Sequence, residues 1–201
     1  MARYRSSRIL PVILILVIVV IAVTALVSLT RAIFFSGDST QQVVSDTSRE
    51  ALLNTTAGHS VRMTVRGPIV ANEEFRSYQI TITPNSRSLV TYKGYTESVI
   101  NQITLANNVR SYEQFVYALD KANLAKGTQF DDDQNDLRGI CAIGEVYSFE
   151  IIDGNMPVKE LWTSTCSGSK GSLDASAKQL MELFQNQIPD GDELIDDVRL
   201  S

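Results

Sequence analysis

Two cysteines, Cys141 and Cys166, are the residues whose spacing says most about chemistry. They flank a segment typical of a β-hairpin, with Asp153-Gly154 as a favoured two-residue loop because both loop positions need positive φ. Counting outwards from that loop places the cysteines opposite each other, in a non-hydrogen-bonded pair with Cα atoms about 4.5 Å apart, which a disulfide can bridge. The register therefore predicts one structural disulfide and an oxidising compartment. A redox-active pair and two buried free thiols are the alternatives, and the spacing is not the C-x-x-C of redox pairs.

The same hairpin register predicts a binding surface. It places Trp162 opposite Glu145 and Tyr147 opposite Glu160, on the otherwise apolar side that carries the disulfide. A face that mixes aromatic and acidic side chains is expected to be open in part, and exposed aromatic residues favour recognition. Trp162 and Tyr147 are therefore the predicted binding surface.

The sequence contains residues that could catalyse hydrolysis, but they do not form a complete catalytic motif. Ser167-Gly-Ser-Lys170 matches the S-x-x-K motif of acylating enzymes, whereas the accompanying S-D-N and K-T-G elements are absent and a glycine- and serine-rich loop explains the segment better. His59 is the one imidazole, and no G-x-S-x-G nucleophile motif accompanies it. Glu73-Glu74 and Glu145/Glu150 are possible carboxylate pairs for glycoside hydrolysis, at a separation that the sequence does not define. An enzyme is therefore the less favoured reading.

An acidic segment has the spacing of calcium ligands at three positions, Asp131, Asp133 and Asn135. It departs from the calcium loop elsewhere, because Asp136 stands where glycine is needed and Ala142 stands where the bidentate glutamate belongs. One histidine and two cysteines are also too few for a zinc or iron–sulfur cluster. We therefore predict a solvated acidic loop, no metal and no cofactor.

The charge distribution argues against nucleic acid as a partner. The 201 residues include 18 basic and 23 acidic side chains, and four arginines but no acid fall in the first 31 positions. The remaining 170 positions thus carry 14 basic and 23 acidic side chains, a net charge of −9. An acidic surface repels phosphates. Apolar residues at 44% and charged residues at 20% also argue against wholesale disorder.

The segment from residue 9 to residue 29 is a predicted transmembrane helix. It carries no charge, and 21 residues at about 1.5 Å each span roughly 30 Å, the thickness of a bilayer core. Three arginines precede it and one follows it, so residues 1–8 are expected in the cytoplasm and the rest of the chain outside. A secretory signal cleaved after Val23-Thr24-Ala25 is the alternative.

The outer part of the chain has the pattern of an α+β domain. Alternation of apolar and polar residues predicts strands at 61–66, 78–82 and 88–95 in addition to the hairpin. Helical spacing of apolar residues predicts a helix near 36–56, a second that begins at a capping box at Ser111, and a third over 173–188. The segment 96–110 is ambiguous. This grouping predicts a small antiparallel β-sheet with flanking helices and one disulfide-bridged hairpin. The predicted boundaries are a linker or helix at 30–58, the α+β domain at 59–189 and an acidic C-terminal tail at 190–201.

These observations together predict a single-pass membrane protein with a non-catalytic extracytoplasmic domain. The domain is expected to bind or scaffold an envelope protein or glycan. A membrane-anchored envelope hydrolase that uses carboxylates or Ser167/Lys170 is the alternative.

Overall fold

The computed structural model describes residues 47–131 and 133–198. The predicted membrane segment, residues 9–29, and the basic N-terminus, residues 1–8, lie outside these ranges. Among the described residues, no helix combines the length and the apolar character needed to cross a bilayer.

Six strands form one antiparallel sheet, which confirms the predicted sheet. The strands are β1 (His59–Arg66), β2 (Arg76–Ile82), β3 (Ser86–Lys93), β4 (Ser98–Ala106), β5 (Val146–Asp153) and β6 (Met156–Ser164). Their order in the sheet is β4-β3-β2-β1-β5-β6. Strand β4 occupies the segment that the sequence left ambiguous, because most of its side chains are exposed and no alternation of apolar residues is required.

In the described part of the chain, four helices accompany the sheet: α1 (Thr47–Leu53), α2 (Val109–Lys121), α3 (Ala177–Gln185) and α4 (Gly191–Val198). Helix α4 corrects the prediction that the chain ends in a solvated acidic tail from residue 190. Val198 is buried, and Leu194 and Ile195 pack against the core. These three apolar residues recur at helical spacing on one side of α4, and the surrounding acidic residues masked that pattern.

The core lies between the helices and one face of the sheet, which we call the helix face. Alternate residues of the central strands point to this face, and each of them is buried. Phe115 of α2 and Phe184 of α3 meet edge to face at 5.3 Å, and Phe184 also contacts Phe149 of β5 at 6.1 Å. The buried residues of β1 and β2 on this face are Val61, Met63, Val65, Tyr78, Ile80 and Ile82.

Helix α2 begins before the predicted capping residue. The N-cap is Asn108, whose side chain accepts a hydrogen bond from the Ser111 backbone N–H at 3.0 Å. We expect Asn108→Ala to lower the free energy of unfolding by about 1 kcal/mol, because one N–H at the start of the helix loses its partner. Denaturant unfolding of the two variants checks this. Ser111→Ala serves as the control, and an equal or larger loss there would contradict the assignment of the cap.

The hairpin has a different register from the predicted one. Asp153 pairs with Met156, so the loop is Gly154-Asn155, and a bulge between Ile151 and Ile152 shifts the remaining pairs by one more residue. Asp153 stays in the strand because β1 holds it: it pairs with His59, whose Nε2 lies 3.4 Å from an Asp153 carboxylate oxygen. The predicted Asp153-Gly154 loop is therefore wrong.

The two edges of the sheet differ. At β6, the backbone of Glu160 and Trp162 is hydrogen-bonded to the Gln129 side chain, to the Ser172 hydroxyl and to the backbone N–H groups of Ser172 and Leu173. At β4, no described residue outside β3 bonds the backbone, and the strand contains neither a charged residue nor a proline. One edge is thus covered by the chain itself, and the other is uncovered within the described part of the chain.

Candidate binding pocket

The face of the sheet opposite the helices, here called the open face, carries a polar row across three strands. Arg62 of β1, Glu150 of β5 and Glu160 of β6 lie side by side in the register. The Arg62 guanidinium lies 3.3 Å from a Glu150 carboxylate oxygen, and the Ser148 hydroxyl donates to Glu160 at 3.3 Å. The open face is therefore polar and partly buried at its centre.

Glu150 makes stability depend on pH. Burial raises the pKa of Glu150, Arg62 opposes the rise, and Glu160 adds to it. The folded state therefore holds the proton of Glu150 more tightly than the unfolded state does. The stabilisation of the folded state by this protonated carboxyl is fully present below the unfolded pKa of about 4.3, and it is lost as pH rises through the folded pKa. We expect the free energy of unfolding of the wild type to fall relative to Glu150→Gln as pH rises above about 4.

Urea unfolding between about pH 4 and pH 7 measures this difference. Arg62→Gln should steepen the pH dependence, because it removes the charge that opposes the rise in the Glu150 pKa. A difference between wild type and Glu150→Gln that is constant over the whole range would contradict the assignment.

Trp162 and Tyr147 do not form the predicted binding surface. The observed register pairs Tyr147 with Thr163 and Trp162 with Ser148, so the two aromatic residues point to opposite faces of the sheet. Trp162 is only 5% exposed. Tyr147 is half-buried on the helix face, and its hydroxyl donates to Glu145. The prediction failed because its register was off by an odd number of residues, which reverses the face of every side chain on one strand.

A long loop covers Trp162. Residues 122–145, which we call the disulfide loop, connect α2 to β5, and loops of this length without regular structure are often functional. The predicted disulfide is confirmed: Cys141 and Cys166 are bridged, with Cα atoms 5.3 Å apart. A turn at residues 141–144 brings Cys141 back to Cys166 although the cysteines lie outside the ladder. The loop contributes to a second apolar cluster on the open face. This cluster consists of Cys141, Val146 and Trp162, with the partly buried Phe130, Leu137, Ile140 and Cys166 packed against them.

A second loop meets the disulfide loop at this end of the sheet. Residues 67–75 connect β1 to β2, and the Ile69 backbone N–H donates to the Ala142 carbonyl oxygen at 2.9 Å. The Tyr95 hydroxyl donates to the Val70 carbonyl oxygen at 2.8 Å, and the Tyr95 ring stacks on Phe75 at 4.1 Å. The loop is thus fixed from both sides.

A pocket of about 120 Å³ lies between these two loops and the end of the open face. One wall is the stacked pair of Phe75 and Tyr95, and the others are mostly aliphatic. The pocket combines an apolar interior with two arginine side chains, which is the usual composition of a small-ligand site. Its remaining lining residues are Arg66, Gly67, Ile69, Leu137, Arg138, Gly139, Ile140 and Val146.

The two arginines of the pocket differ in their partners. Arg138 forms several hydrogen bonds with the Asp136 carboxylate, and these hydrogen bonds, together with the charge of Arg66, lower the pKa of Asp136 to about 2. The Arg66 guanidinium lies 5.5 Å from the centre of the Phe75 ring. Among the described residues, no carboxylate lies within 4 Å of Arg66. Within the described ranges, Arg66 therefore has no carboxylate in direct contact, although its charge acts on Asp136 from farther away.

The residues proposed for hydrolysis do not converge. Ser167 and Lys170 are both exposed on the turn that follows β6. Glu145 receives the hydrogen bond of Tyr147 on the helix face, whereas Glu150 lies on the open face. The Glu145/Glu150 pair is thus separated by the sheet itself.

A hydroxyl, an imidazole and a carboxylate do come together at the start of β1, which the sequence did not indicate. His59 Nδ1 lies 3.2 Å from the Thr56 hydroxyl, and His59 Nε2 lies 3.4 Å from Asp153. The Thr56 hydroxyl and the Thr56 backbone N–H both donate to the Asn54 side chain, at 2.8 and 3.0 Å. The Thr56 hydroxyl donates its hydrogen to Asn54, which is closer than His59, so His59 does not activate it as a nucleophile. The arrangement instead stabilises a turn.

The described residues of the acidic segment were predicted to form a solvated loop. In the ranges that the structure describes, no three acidic, histidine or cysteine side chains are grouped closely enough to hold an ion. Asp131 instead uses its backbone carbonyl to accept hydrogen bonds from Gln134 and Asn135.

No protein-family model and no curated protein matches the chain.

Proposed function

We propose that this protein is a single-pass membrane protein whose extracytoplasmic domain binds a partner of the cell envelope at the pocket, without catalysis. The Cys141–Cys166 disulfide carries the proposal, because it clamps the loop that forms one wall of the pocket and because such bridges form outside the reducing cytoplasm. The uncharged segment at residues 9–29 and the arginines before it support the anchor and its orientation.

Exposed apolar residues at the pocket support a binding role. Ile143 is 92% exposed, and Ile69 and Tyr95 are nearly half exposed. Ile69 and Tyr95 line the pocket, and the Ile69 backbone N–H donates to the carbonyl oxygen of Ala142, the residue before Ile143. Exposed apolar groups around a pocket favour contact with a protein partner over contact with a glycan.

The hydrolase alternative has less support. Ser167 and Lys170 are exposed on a turn, and Glu145 and Glu150 lie on opposite faces of the sheet, whereas hydrolysis needs its groups within reach of one substrate bond.

Topology is tested on intact cells that express the full chain with a C-terminal epitope. We expect the protein in the membrane fraction, the epitope removed by external protease, and both thiols alkylated only after reduction. Recovery from the cytosol with both thiols free would refute the proposed location.

The binding role is tested separately by photo-crosslinking in the same cells. A photoreactive amino acid at Ile143 should give a defined adduct, whereas one at Tyr117, exposed on α2 away from the pocket, should not. Identical adduct patterns at both positions, or no adduct at Ile143, would refute a binding site at the pocket.

A further inference from the structure

We propose that the pocket binds an aliphatic carboxylate: the carboxylate pairs with Arg66, and the alkyl group enters the apolar interior. This inference rests on the proposed binding function and names the chemical class of its ligand.

The charge of the ligand follows from the two arginines. A guanidinium presents a planar fork of N–H donors that fits a carboxylate in a bidentate arrangement. Arg138 is already paired with the Asp136 carboxylate, whereas no described carboxylate lies within 4 Å of Arg66, so Arg66 is the arginine available to a ligand. A single available cation in a domain of net negative charge favours an anion with one charge over phosphates or other multiply charged groups.

The position of Arg66 strengthens this argument. It is the last residue of β1 and lies on the open face, where it pairs in register with Ser77 and Val146. Its guanidinium rests against the ring of Phe75, which is itself buried and stacked on Tyr95. The contact with the aromatic ring restricts the Arg66 side chain before a ligand binds. Binding therefore costs less conformational entropy of this side chain.

The size of the ligand follows from the interior. About 120 Å³ is somewhat less than the roughly 150 Å³ of an apolar cavity that accepts benzene. A branched alkyl group such as the side chain of leucine or valine fits this space against Ile69, Ile140 and Val146.

Two sources share this chemistry: a free branched-chain acid, and the C-terminal residue of a polypeptide. Full-length protein in lipid nanodiscs is titrated calorimetrically with 4-methylpentanoate, with the peptide Gly-Ser-Gly-Ser-Leu, and with the same peptide as its C-terminal amide. We expect the free peptide to bind at least tenfold more tightly than the amide. Binding of 4-methylpentanoate as tight as that of the peptide identifies the free acid as sufficient, and binding of the peptide alone identifies a polypeptide C-terminus.

Variants assign the site. Arg66→Gln should weaken binding at least tenfold, and Ile69→Ser, at a surface position that tolerates a polar residue, should weaken it as well. Arg110→Gln removes an exposed arginine on α2 and should leave binding unchanged. Equal binding of acid and amide, undiminished binding by Arg66→Gln, or no binding of any probe at millimolar concentration overturns the proposal. If the Ile143 adduct persists in that case, the ligand class is wrong and the binding function stands.

Discussion

Replacement of Phe184 by alanine should lower the free energy of unfolding by about 3–5 kcal/mol, the largest single effect we expect in this domain. Phe184 is fully buried, and it contacts Phe115 of α2 and Phe149 of β5. The substitution removes the ring that joins two helices to the sheet and leaves a cavity that neighbouring side chains fill only in part. A domain of ordinary stability, about 5–15 kcal/mol, would lose a large part of its total.

The chain reports its own unfolding, because Trp162 is its one tryptophan and is buried. Its fluorescence during urea titration gives the unfolding midpoint of each variant. Tyr117→Ala is the matched control: it removes an aromatic ring that is nearly half exposed on α2 and should change stability by less than about 0.5 kcal/mol. Similar losses for Phe184→Ala and Tyr117→Ala would show that the proposed core is wrong.

Removal of the disulfide should give the second-largest effect, about 3 kcal/mol for a closed loop of this length on the chain-entropy account. The double variant Cys141→Ser/Cys166→Ser is preferred, because a single replacement leaves a reactive thiol. The unfolded chain gains freedom when the bridge is absent, and the small cluster around Trp162 loses the constraint that holds it on the sheet.

The fluorescence of Trp162 distinguishes a local from a global effect. We expect its emission to shift to longer wavelength in the double variant before the main unfolding transition, since the disulfide loop that covers it is tied down less firmly. Wild-type protein treated with reductant should behave in the same way. Ser167→Ala, on the exposed turn next to Cys166, is the control, and an unfolding midpoint unaffected by loss of the bridge would contradict the expectation.

The predictable strands are those with one buried face. Val61, Met63 and Val65 alternate with polar residues because β1 covers the core on one side only, and the same holds for β2. Strand β4 gave no such signal, because it lies at the edge and most of its side chains are exposed. Helix α4 was missed for another reason: its acidic residues suggested a solvated tail, and its burial depends on contact with a distant part of the sheet.

The disulfide and the pocket show the limit of reasoning from local patterns. The pairing of Cys141 with Cys166 was predicted correctly from a register that was wrong, because a turn before β5 compensated for the shift. The pocket needs Arg66, Phe75, Tyr95 and Ile140, which come from separate segments of the chain. Tertiary contacts alone bring these residues together, so no spacing in the sequence indicates the site.

The unequal edges of the sheet limit how copies of this domain associate through their backbones. Fibril growth by strand addition requires two free edges on every molecule, so that each added unit offers a new one. Here Gln129, Ser172 and Leu173 bond the backbone of β6 at Glu160 and Trp162, and no described residue bonds the outer edge of β4. Pairing through β4 is therefore easier than pairing through β6, which favours association in pairs over growth by strand addition.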